Sequence, residues 1–455
     1  MEKQKKQILN ENLRPLLFKF SIPSITGMVI IALYNFVDTL FVGRAVGPDA
    51  IAGLTIVLPV LIFIIAIGLL TGVGAASLVS RSLGKGDKET AIIAGGNSFV
   101  LNTIFNIIAI IPIYIFSEEI LRFLGASSEV LPYARDYLEI MLFGFLFLSF
   151  SINGSSLIRA EGKPRASMYE MMLGAISNII LDYFFVMVFG WGVKGAAIAT
   201  VLSHIISTIY FVIFFMSSKS IFKIKLNMFR IRKSISREIL SLGVSSFLMQ
   251  IVGSVAFLLF IRGVRQYGGD AYIAIIGIGI RIIDLIFMPI LGISQGFAPI
   301  VGFNYGAKFY SRVKKVLGEA FVWTAVIAAI GFVVMVIFPE SLIRIFTSDI
   351  SVIEKGAGPL RLIAMLAPLW SFPILGSTFF QAIGKARQAI FITLSRDLFF
   401  FIPAVLILPL FFNLTGVWVS WPFTDFCCFL VTAILLIIEI KVINRNIEKE
   451  KMRLA

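Results

Sequence analysis

Long apolar runs follow one another along the whole chain, separated by short stretches of charged residues, glycine or proline. A helix needs about 20 such residues to cross a bilayer, and irregular backbone is not stable against lipid. The pattern therefore predicts an all-α polytopic membrane protein with twelve transmembrane helices. The predicted spans 1 to 12 are 16–42, 51–80, 91–116, 131–158, 167–189, 195–216, 240–262, 272–303, 315–338, 357–382, 389–410 and 417–440.

One long polar insertion divides these spans six and six. It predicts an N-lobe of residues 1–216, a basic linker of residues 217–238, and a C-lobe of residues 239–455 that ends in a basic tail. Glycines recur between the halves at an offset of 222 residues: Gly74 matches Gly296, and Gly84 matches Gly306. We therefore expect two pseudo-symmetric six-helix lobes related by an axis along the membrane normal.

Composition and charge agree with a membrane protein. Of 455 residues, 58% are hydrophobic and 15% are charged. The net charge of +14 does not indicate a nucleic-acid partner, because the basic residues lie in short segments between apolar runs, as the positive-inside rule predicts. By that rule 28 of the 40 lysines and arginines share one side with both termini and the linker, which predicts a cell-membrane protein whose termini are cytoplasmic.

The N-terminal residues do not predict a cleaved signal peptide, and the cysteines do not predict a binding site. The first apolar run is too long for a signal peptide and predicts a retained helix. The two cysteines, Cys427 and Cys428, are adjacent, which predicts neither a disulfide framework nor a metal site.

Asp38 is the isolated carboxylate of span 1. A charge near the middle of a membrane helix costs about 2.5 to 3.5 kcal/mol on insertion scales, so such residues usually face a bundle interior or a wet cavity. The alternative is a structural aspartate that caps a helix or pairs with an arginine. Tyr34 lies four residues earlier, on the same helix face.

Span 5 contains a similar pair, since Asn178 and Asp182 are also four residues apart. Span 6 adds the hydroxyl of Thr200. If these helices face a common cavity, two carboxylates, an amide and a hydroxyl form an oxygen-rich pocket that suits H⁺ or Na⁺. At the repeat offset these polar residues have apolar counterparts, which places this chemistry in the first half alone.

Other charged residues in the spans are expected to be structural. Arg281 and Asp284 are three residues apart in span 8 and predict a pair on one helix. Glu170, Arg396 and Asp397 lie near span ends and are expected to reach the membrane interface.

Pro23 lies fifteen residues before Asp38 in span 1. A proline inside a helix removes a backbone hydrogen bond and can bend the helix. A proline in the first turn would only mark the helix entrance, and the sequence leaves both interpretations open.

With these stretches in view, the chain resembles the multidrug and toxic compound extrusion (MATE) family, and its DinF-like branch in particular. The similarity covers about residues 14–440. Its motifs are VDTLFVGRAVGPDAIAG ending at Gly53, RAEGKPR (159–165), SNIILD (177–182), GVKGAAIAT (192–200), GFNYG (302–306) and GVWVSWP (416–422).

The resemblance implies two lobes around a central cleft and export of organic, often cationic, compounds in exchange for H⁺ or Na⁺. Carried over by position, the cation site is formed by Asp38, Asn178, Asp182 and Thr200. The same comparison makes Pro23 the helix hinge and places four side chains beside the substrate pathway: Tyr34, Asn35, Tyr137 and Asn153.

A secondary antiporter is therefore the leading interpretation, and a lipid-linked-precursor flippase of the same superfamily is the alternative. A receptor or channel is less consistent with the two-lobed repeat. The chain contains no G-x-x-x-x-G-K-[ST] loop, and we expect no enzyme activity, no cofactor and no metal. The expected partners are small organic substrates, the coupling ion and membrane lipid, and the expected state is a monomer.

Overall fold

The computed structural model describes residues 2–222, 226–269 and 271–454. Within these ranges the chain is helical and contains no β-strand. The α-helices are α1 (Glu2–Asn10), α2 (Leu13–Ala45), α3 (Pro48–Lys85), α4 (Lys88–Ile115), α5 (Ser117–Phe123), α6 (Leu131–Ala160), α7 (Pro164–Asp182), α8 (Gly192–Met216), α9 (Lys233–Gly268), α10 (Ala271–Gly306), α11 (Tyr310–Ile337), α12 (Pro339–Arg344), α13 (Ile350–Ala364), α14 (Ser371–Ala382), α15 (Ala386–Leu394) and α16 (Ile402–Leu454). Two π-helical segments, Tyr183–Val188 and Ser395–Phe401, follow α7 and α15.

The described helices make twelve membrane crossings. Ten continuous segments are long and apolar enough to cross a membrane, and α13 with α14 forms an eleventh that is bent by 48° at the break between them. The longest segment, Ala386–Lys449, contains Asn413 with φ 50° and ψ −135°, so it divides into two crossings at that residue. The predicted twelve-helix fold is confirmed.

Several helix boundaries differ from the predicted spans. Helix α9 begins at Lys233, inside the predicted linker, and α16 continues to Leu454, beyond the predicted end of span 12. Apolar periodicity locates the part of a helix that faces lipid, whereas basic residues continue the same helix into water. Span 10 is broken rather than straight, because the chain leaves α13 just before Pro368, which lies in a 3₁₀ turn.

The linker between the lobes packs on α4. The Asn97 side chain donates to the carbonyl oxygen of Arg230 at 3.0 Å and accepts from the backbone N–H of Arg232 at 2.8 Å. A Cβ at Gly96 would lie 2.0 Å from the carbonyl oxygen of Met228, so only glycine admits the linker backbone there. The described part of the linker is therefore anchored to the N-lobe and is not a free tether; residues 223–225 lie outside the described residues.

Both lobes share one hydrophobic core at a single end of the molecule. At this end, called the basic end, lie the connections that carry Lys85, Lys163, Lys308 and Lys385. The shared core contains buried residues from both halves of the chain, whereas the buried residues of two further cores come from the N-lobe alone and from the C-lobe alone. The lobes are thus joined at the basic end and have separate cores toward the opposite end, called the far end.

The contact between α3 and α10 at the basic end is reciprocal. A Cβ at Gly84 would lie 2.2 Å from the carbonyl oxygen of Phe303, and a Cβ at Gly306 would lie 2.1 Å from the carbonyl oxygen of Arg81. Adding 222 to the numbers of Arg81 and Gly84 gives 303 and 306. Each lobe therefore makes the same contact on the other, as a two-fold axis requires.

A second reciprocal contact lies nearer the middle of the helices. A Cβ at Gly74 would lie 3.1 Å from the backbone nitrogen of Gly243, and one at Gly296 would lie 2.7 Å from the backbone nitrogen of Ser21. The same offset relates Gly74 to Gly296 and Ser21 to Gly243. The internal repeat found in the sequence is thus the symmetry of the interface between the lobes.

Ser80 and Gly302 are also 222 residues apart, and they meet each other. A Cβ at Gly302 would lie 2.1 Å from the hydroxyl oxygen of Ser80. A residue that contacts its own repeat counterpart lies on the pseudo-two-fold axis, so this pair marks where the axis passes through the interface.

Candidate functional site

Helix α7 has a polar stripe on its buried face. Its buried residues include Ser167, Glu170, Asn178 and Asp182. Asn178 is 1% exposed and Asp182 is fully buried. Large apolar residues such as Ile180 are exposed on the opposite face. This arrangement is the reverse of a soluble amphipathic helix and directs the polar groups toward α2, α6 and α8.

Asp38 and Asp182 meet where α2 packs on α7. Their side chains interact directly, so the two carboxyl groups lie beside each other. Oδ1 of Asp38 and both oxygens of Asp182 are buried and have no hydrogen-bond partner. Unpartnered carboxylate oxygens at this depth are costly unless a proton or a cation lies between them. The pairing of Asp38 with Asp182 was not derivable from helix periodicity, which relates residues on one helix only.

Thr200 and Asn178 complete the oxygen cluster. The amide nitrogen of Asn178 donates to the hydroxyl oxygen of Thr200 at 3.3 Å, and the Thr200 hydroxyl donates to the carbonyl oxygen of Ala196 at 2.9 Å. With its nitrogen engaged, Asn178 has a free Oδ1, which is buried without a partner. The structure therefore brings all four predicted cation-site residues together.

Two tyrosines border this cluster. Tyr137 is 6% exposed, lies beside Thr200 and interacts electrostatically with Asp38 and Asp182. Tyr34 interacts with the same two carboxyl groups. Both tyrosines therefore lie near the two carboxylates.

The backbone beside Asp182 is unusual. The π-helical segment Tyr183–Val188 begins directly after it. Such segments occur often at functional sites, because the extra residue in the turn changes where side chains point. Two carboxylates, one amide oxygen and one hydroxyl in this setting provide the ligands for a proton or a small hard cation.

Three predicted residues need separate comment. Asn153 is fully buried in another network, where it donates to the Thr71 hydroxyl at 3.1 Å and accepts from the Ser98 hydroxyl at 3.1 Å. The side chain of Asn35 lies outside the described residues. Pro23 lies inside α2, which begins at Leu13, so the first-turn alternative is wrong.

Glu170 was expected to reach the membrane interface, but it is buried inside the protein. It is 1% exposed, and its Oε2 atom is buried without a partner. Its position on the stripe of α7, eight residues before Asn178, is the signal that could have indicated this.

The C-lobe also contains a buried charged cluster that sequence reasoning missed. Nη1 of Arg396 lies 2.9 Å from Oδ1 of Asp397, and the Trp370 indole donates to Oδ2 of Asp425 at 2.7 Å. Both aspartates are at most 5% exposed, so Asp397 is buried in the protein rather than exposed at the interface, whereas the Arg396 side chain is 28% exposed. Intramembrane polar chemistry is therefore present in both lobes, although in different residues.

The MatE family model matches the chain twice, over residues 23–184 and 245–406. The two matches begin and end 222 residues apart, the offset of the glycine contacts. The chain belongs to the MatE family. It is accordingly a membrane transporter and not an enzyme.

Known relatives cover nearly the whole of this MatE protein. The multidrug export protein MepA of Staphylococcus aureus (strain N315) is 27% identical over 417 residues, which is 92% of each chain. A structure described as the outward-facing conformation of a multidrug resistance MATE family transporter of the MOP superfamily has a TM-score of 0.91 at 26% identity and covers 96% of this chain and 98% of that one. A MOP superfamily transporter from Pyrococcus furiosus, described by the reverse polarity of its binding pocket, has a TM-score of 0.90 at 26% identity with the same coverage.

Proposed function

We propose that this protein is a secondary multidrug efflux antiporter of the DinF-like branch, which exports organic, often cationic, compounds in exchange for H⁺ or Na⁺. The observation that carries the proposal is the pair Asp38 and Asp182, whose buried oxygens lack hydrogen-bond partners in the N-lobe. The name of the S. aureus relative, multidrug export protein, supports the class of substrate.

Alternating access accounts for the two-lobed architecture. By the positive-inside rule the basic end is cytoplasmic, so a structure joined at that end corresponds to an outward-facing state. Between the lobes lies a cavity of about 170 Å³, bordered by hydroxyl groups such as Ser77 and Ser246 and by apolar residues such as Met249. Such a mixed lining suits amphipathic molecules of varied shape.

The same cavity bears on the flippase alternative. A lipid-linked precursor carries a phosphorylated headgroup, which requires several basic side chains. Among the described lining residues Arg159 is the one charged group, and both its terminal nitrogens already donate to serine hydroxyls. The cavity therefore favours export of small compounds over headgroup recognition.

The coupling role of the carboxylates follows from their two occupancy states. An empty site holds two neighbouring carboxylates, whereas a bound H⁺ or Na⁺ lowers their mutual repulsion. The ion can drive the conformational cycle only if it binds the inward-facing and outward-facing conformations with different affinities. Movement of α2 relative to α7, with Pro23 as the hinge, would provide that difference.

The test is transport by proteoliposomes with separately imposed pH and Na⁺ gradients. Asp38→Asn and Asp182→Asn should each reduce gradient-driven export to the leak rate of protein-free liposomes, while substrate binding is retained. The matched control is Asp136→Asn, since Asp136 forms an exposed pair with Lys194 at 3.3 Å, and such pairs contribute about 0 to 1 kcal/mol. Wild-type export by Asp38→Asn would show that the N-lobe cluster is structural.

A further inference from the structure

The polar stripe of α7 continues beyond the cation site toward the basic end. From Asp182 it runs through Asn178 and Glu170 to Ser167. The separation of fifteen residues between Ser167 and Asp182 corresponds to roughly 22 Å of helix at 1.5 Å per residue. The stripe therefore extends through most of the membrane, from the carboxylate pair to the first turn of α7, next to the α6–α7 connection.

Helix α8 presents hydroxyl groups along the same line. Thr200, Ser203 and Ser207 are buried and face α7. The Ser207 hydroxyl donates to the carbonyl oxygen of Glu170 at 3.4 Å. A Cβ at Gly174 would lie 2.3 Å from the Ser207 hydroxyl oxygen, so this glycine lets the two polar faces approach. We call this contact, from Asp182 to Ser167 on α7 and from Thr200 to Ser207 on α8, the polar seam.

Glu170 is the one carboxylate of the polar seam outside the cation site. Ser151 of α6 donates a hydrogen bond to Oε1 of Glu170, whereas Oε2 is buried without a partner. The residue is 1% exposed, so water does not replace the missing partner. The cost of burying such an oxygen is relieved when the carboxyl group carries a proton.

Arg159 connects Glu170 with the cavity between the lobes. Its Nη1 donates to the hydroxyls of Ser155 and Ser167 at 2.8 Å each, and its Nη2 donates to Ser156 at 3.1 Å. Its charge acts on Glu170 without a direct ion pair, and its side chain borders the cavity. A Na⁺ ion is disfavoured beside a guanidinium, whereas a neutral proton-bearing carboxyl group is not.

The titratable groups that act on Glu170 come from two of the elements packed around it. Arg159 on α6 and Tyr210 on α8 both interact electrostatically with it. Among the described interactions, α2, which also packs on α7, contributes no charged group.

We propose that Glu170 is a second proton-binding site of the N-lobe, on the route by which protons leave the Asp38–Asp182 pair toward the basic end. The proposal rests on the proposed antiport function and makes the coupling ion a proton. A proton leaves the carboxyl group of Asp182, which becomes a carboxylate, and passes along the hydroxyl groups of the polar seam to the carboxylate of Glu170, about 18 Å away along the helix at 1.5 Å per residue. Glu170 then releases it to water at the basic end, so no other reactant is needed.

The test compares net proton-coupled export with substrate exchange at equal concentrations, which needs no net proton movement. Glu170→Gln should slow pH-gradient-driven export at least tenfold and leave exchange within twofold of wild type. Glu170→Asp, which keeps a titratable group, should restore part of the export. The control is Glu139→Gln, since Glu139 lies at the far end in an exposed pair with Arg135 at 2.7 Å.

The outcomes separate this proposal from the antiport proposal. If Asp38→Asn is inactive and Glu170→Gln exports at the wild-type rate, the second site is wrong and the antiport proposal stands. If Glu170→Gln and Glu170→Asp both lose exchange as well as export, Glu170 is structural and the proposal is also wrong. Ser151→Ala, which removes only the hydrogen bond to Glu170, gives a measurement independent of those variants: it should shift the pH profile of export, and an unchanged profile would contradict the proposal.

Discussion

Among the described glycines, Gly243 on α9 leaves the least room for a Cβ against the other lobe, and Gly243→Ala tests whether this close approach keeps the lobes joined at the basic end. A Cβ at this position would lie 1.7 Å from the carbonyl oxygen of Leu70 on α3. Real Cβ atoms essentially never approach a non-bonded heavy atom within 3.0 Å. The obstructing atom belongs to the backbone, so no side-chain rotation can relieve the clash and the two helices must separate.

The magnitude follows from the state in which the clash occurs. Adding a methyl group to a well-packed core costs about 1 to 3 kcal/mol, and here the cost arises only while the lobes are joined at the basic end. A difference of that size shifts a two-state equilibrium about 5- to 150-fold. We therefore expect Gly243→Ala to populate a state that is open at the basic end, and to slow export because resetting to the closed state becomes unfavourable.

The assay is electron paramagnetic resonance distance measurement between spin labels at Lys88 and Lys308, which are exposed at the basic end of the two lobes. The chain has two native cysteines, so a background without cysteine needs only two substitutions. The control is Gly318→Ala on α11, where a Cβ would meet nothing within 4 Å. A distance distribution of Gly243→Ala identical to that of wild type would refute the reasoning.

Three further predictions concern other parts of the molecule. Glu238→Gln should open the basic end less than the glycine variant does, in the same distance measurement, because the partner of Arg81 is 43% exposed and a screened pair contributes about 0 to 1 kcal/mol. Cysteines at Ser234 and Ser128 should be labelled by an impermeant maleimide from inside and outside the cell respectively; labelling of Ser234 from outside would reverse the topology. Asp425→Asn should lower the melting temperature, since a weakened buried hydrogen bond to an indole costs about 1 to 3 kcal/mol, but it should retain gradient-driven export. Loss of export at unchanged stability would give the C-lobe cluster a role in coupling.

Apolar periodicity was sufficient to predict the twelve crossings, because length and hydrophobicity are properties of each helix alone. The same is true of the repeat, since the glycines that recur at offset 222 are the ones that the interface requires. Asp38, Asn178, Asp182 and Thr200 could be proposed as one site because an uncompensated polar group in a membrane helix must face other protein.

Hydropathy alone does not place Glu170 and Asp425, although the spacing of Glu170 from Asn178 indicates the helix face that they share. Their burial depends on which neighbouring helix covers them, and hydropathy does not report that. The position of the break at Asn413 could not be predicted from hydropathy either, because hydropathy does not report backbone dihedral angles. The two apolar crossings on either side of it could be predicted.

The contact of Ser80 with Gly302 on the pseudo-two-fold axis has a consequence for the ancestry of the fold. Two identical N-terminal halves would place one serine against another on the axis, where the present structure leaves 2.1 Å between the Ser80 hydroxyl and the position of a Cβ. Identical halves would therefore be obstructed at the point where the two different halves fit. After gene duplication, the loss of one side chain at this position would make the two different halves pack together better than two identical halves. The two halves, expressed as separate polypeptides, should therefore form mixed pairs in preference to like pairs.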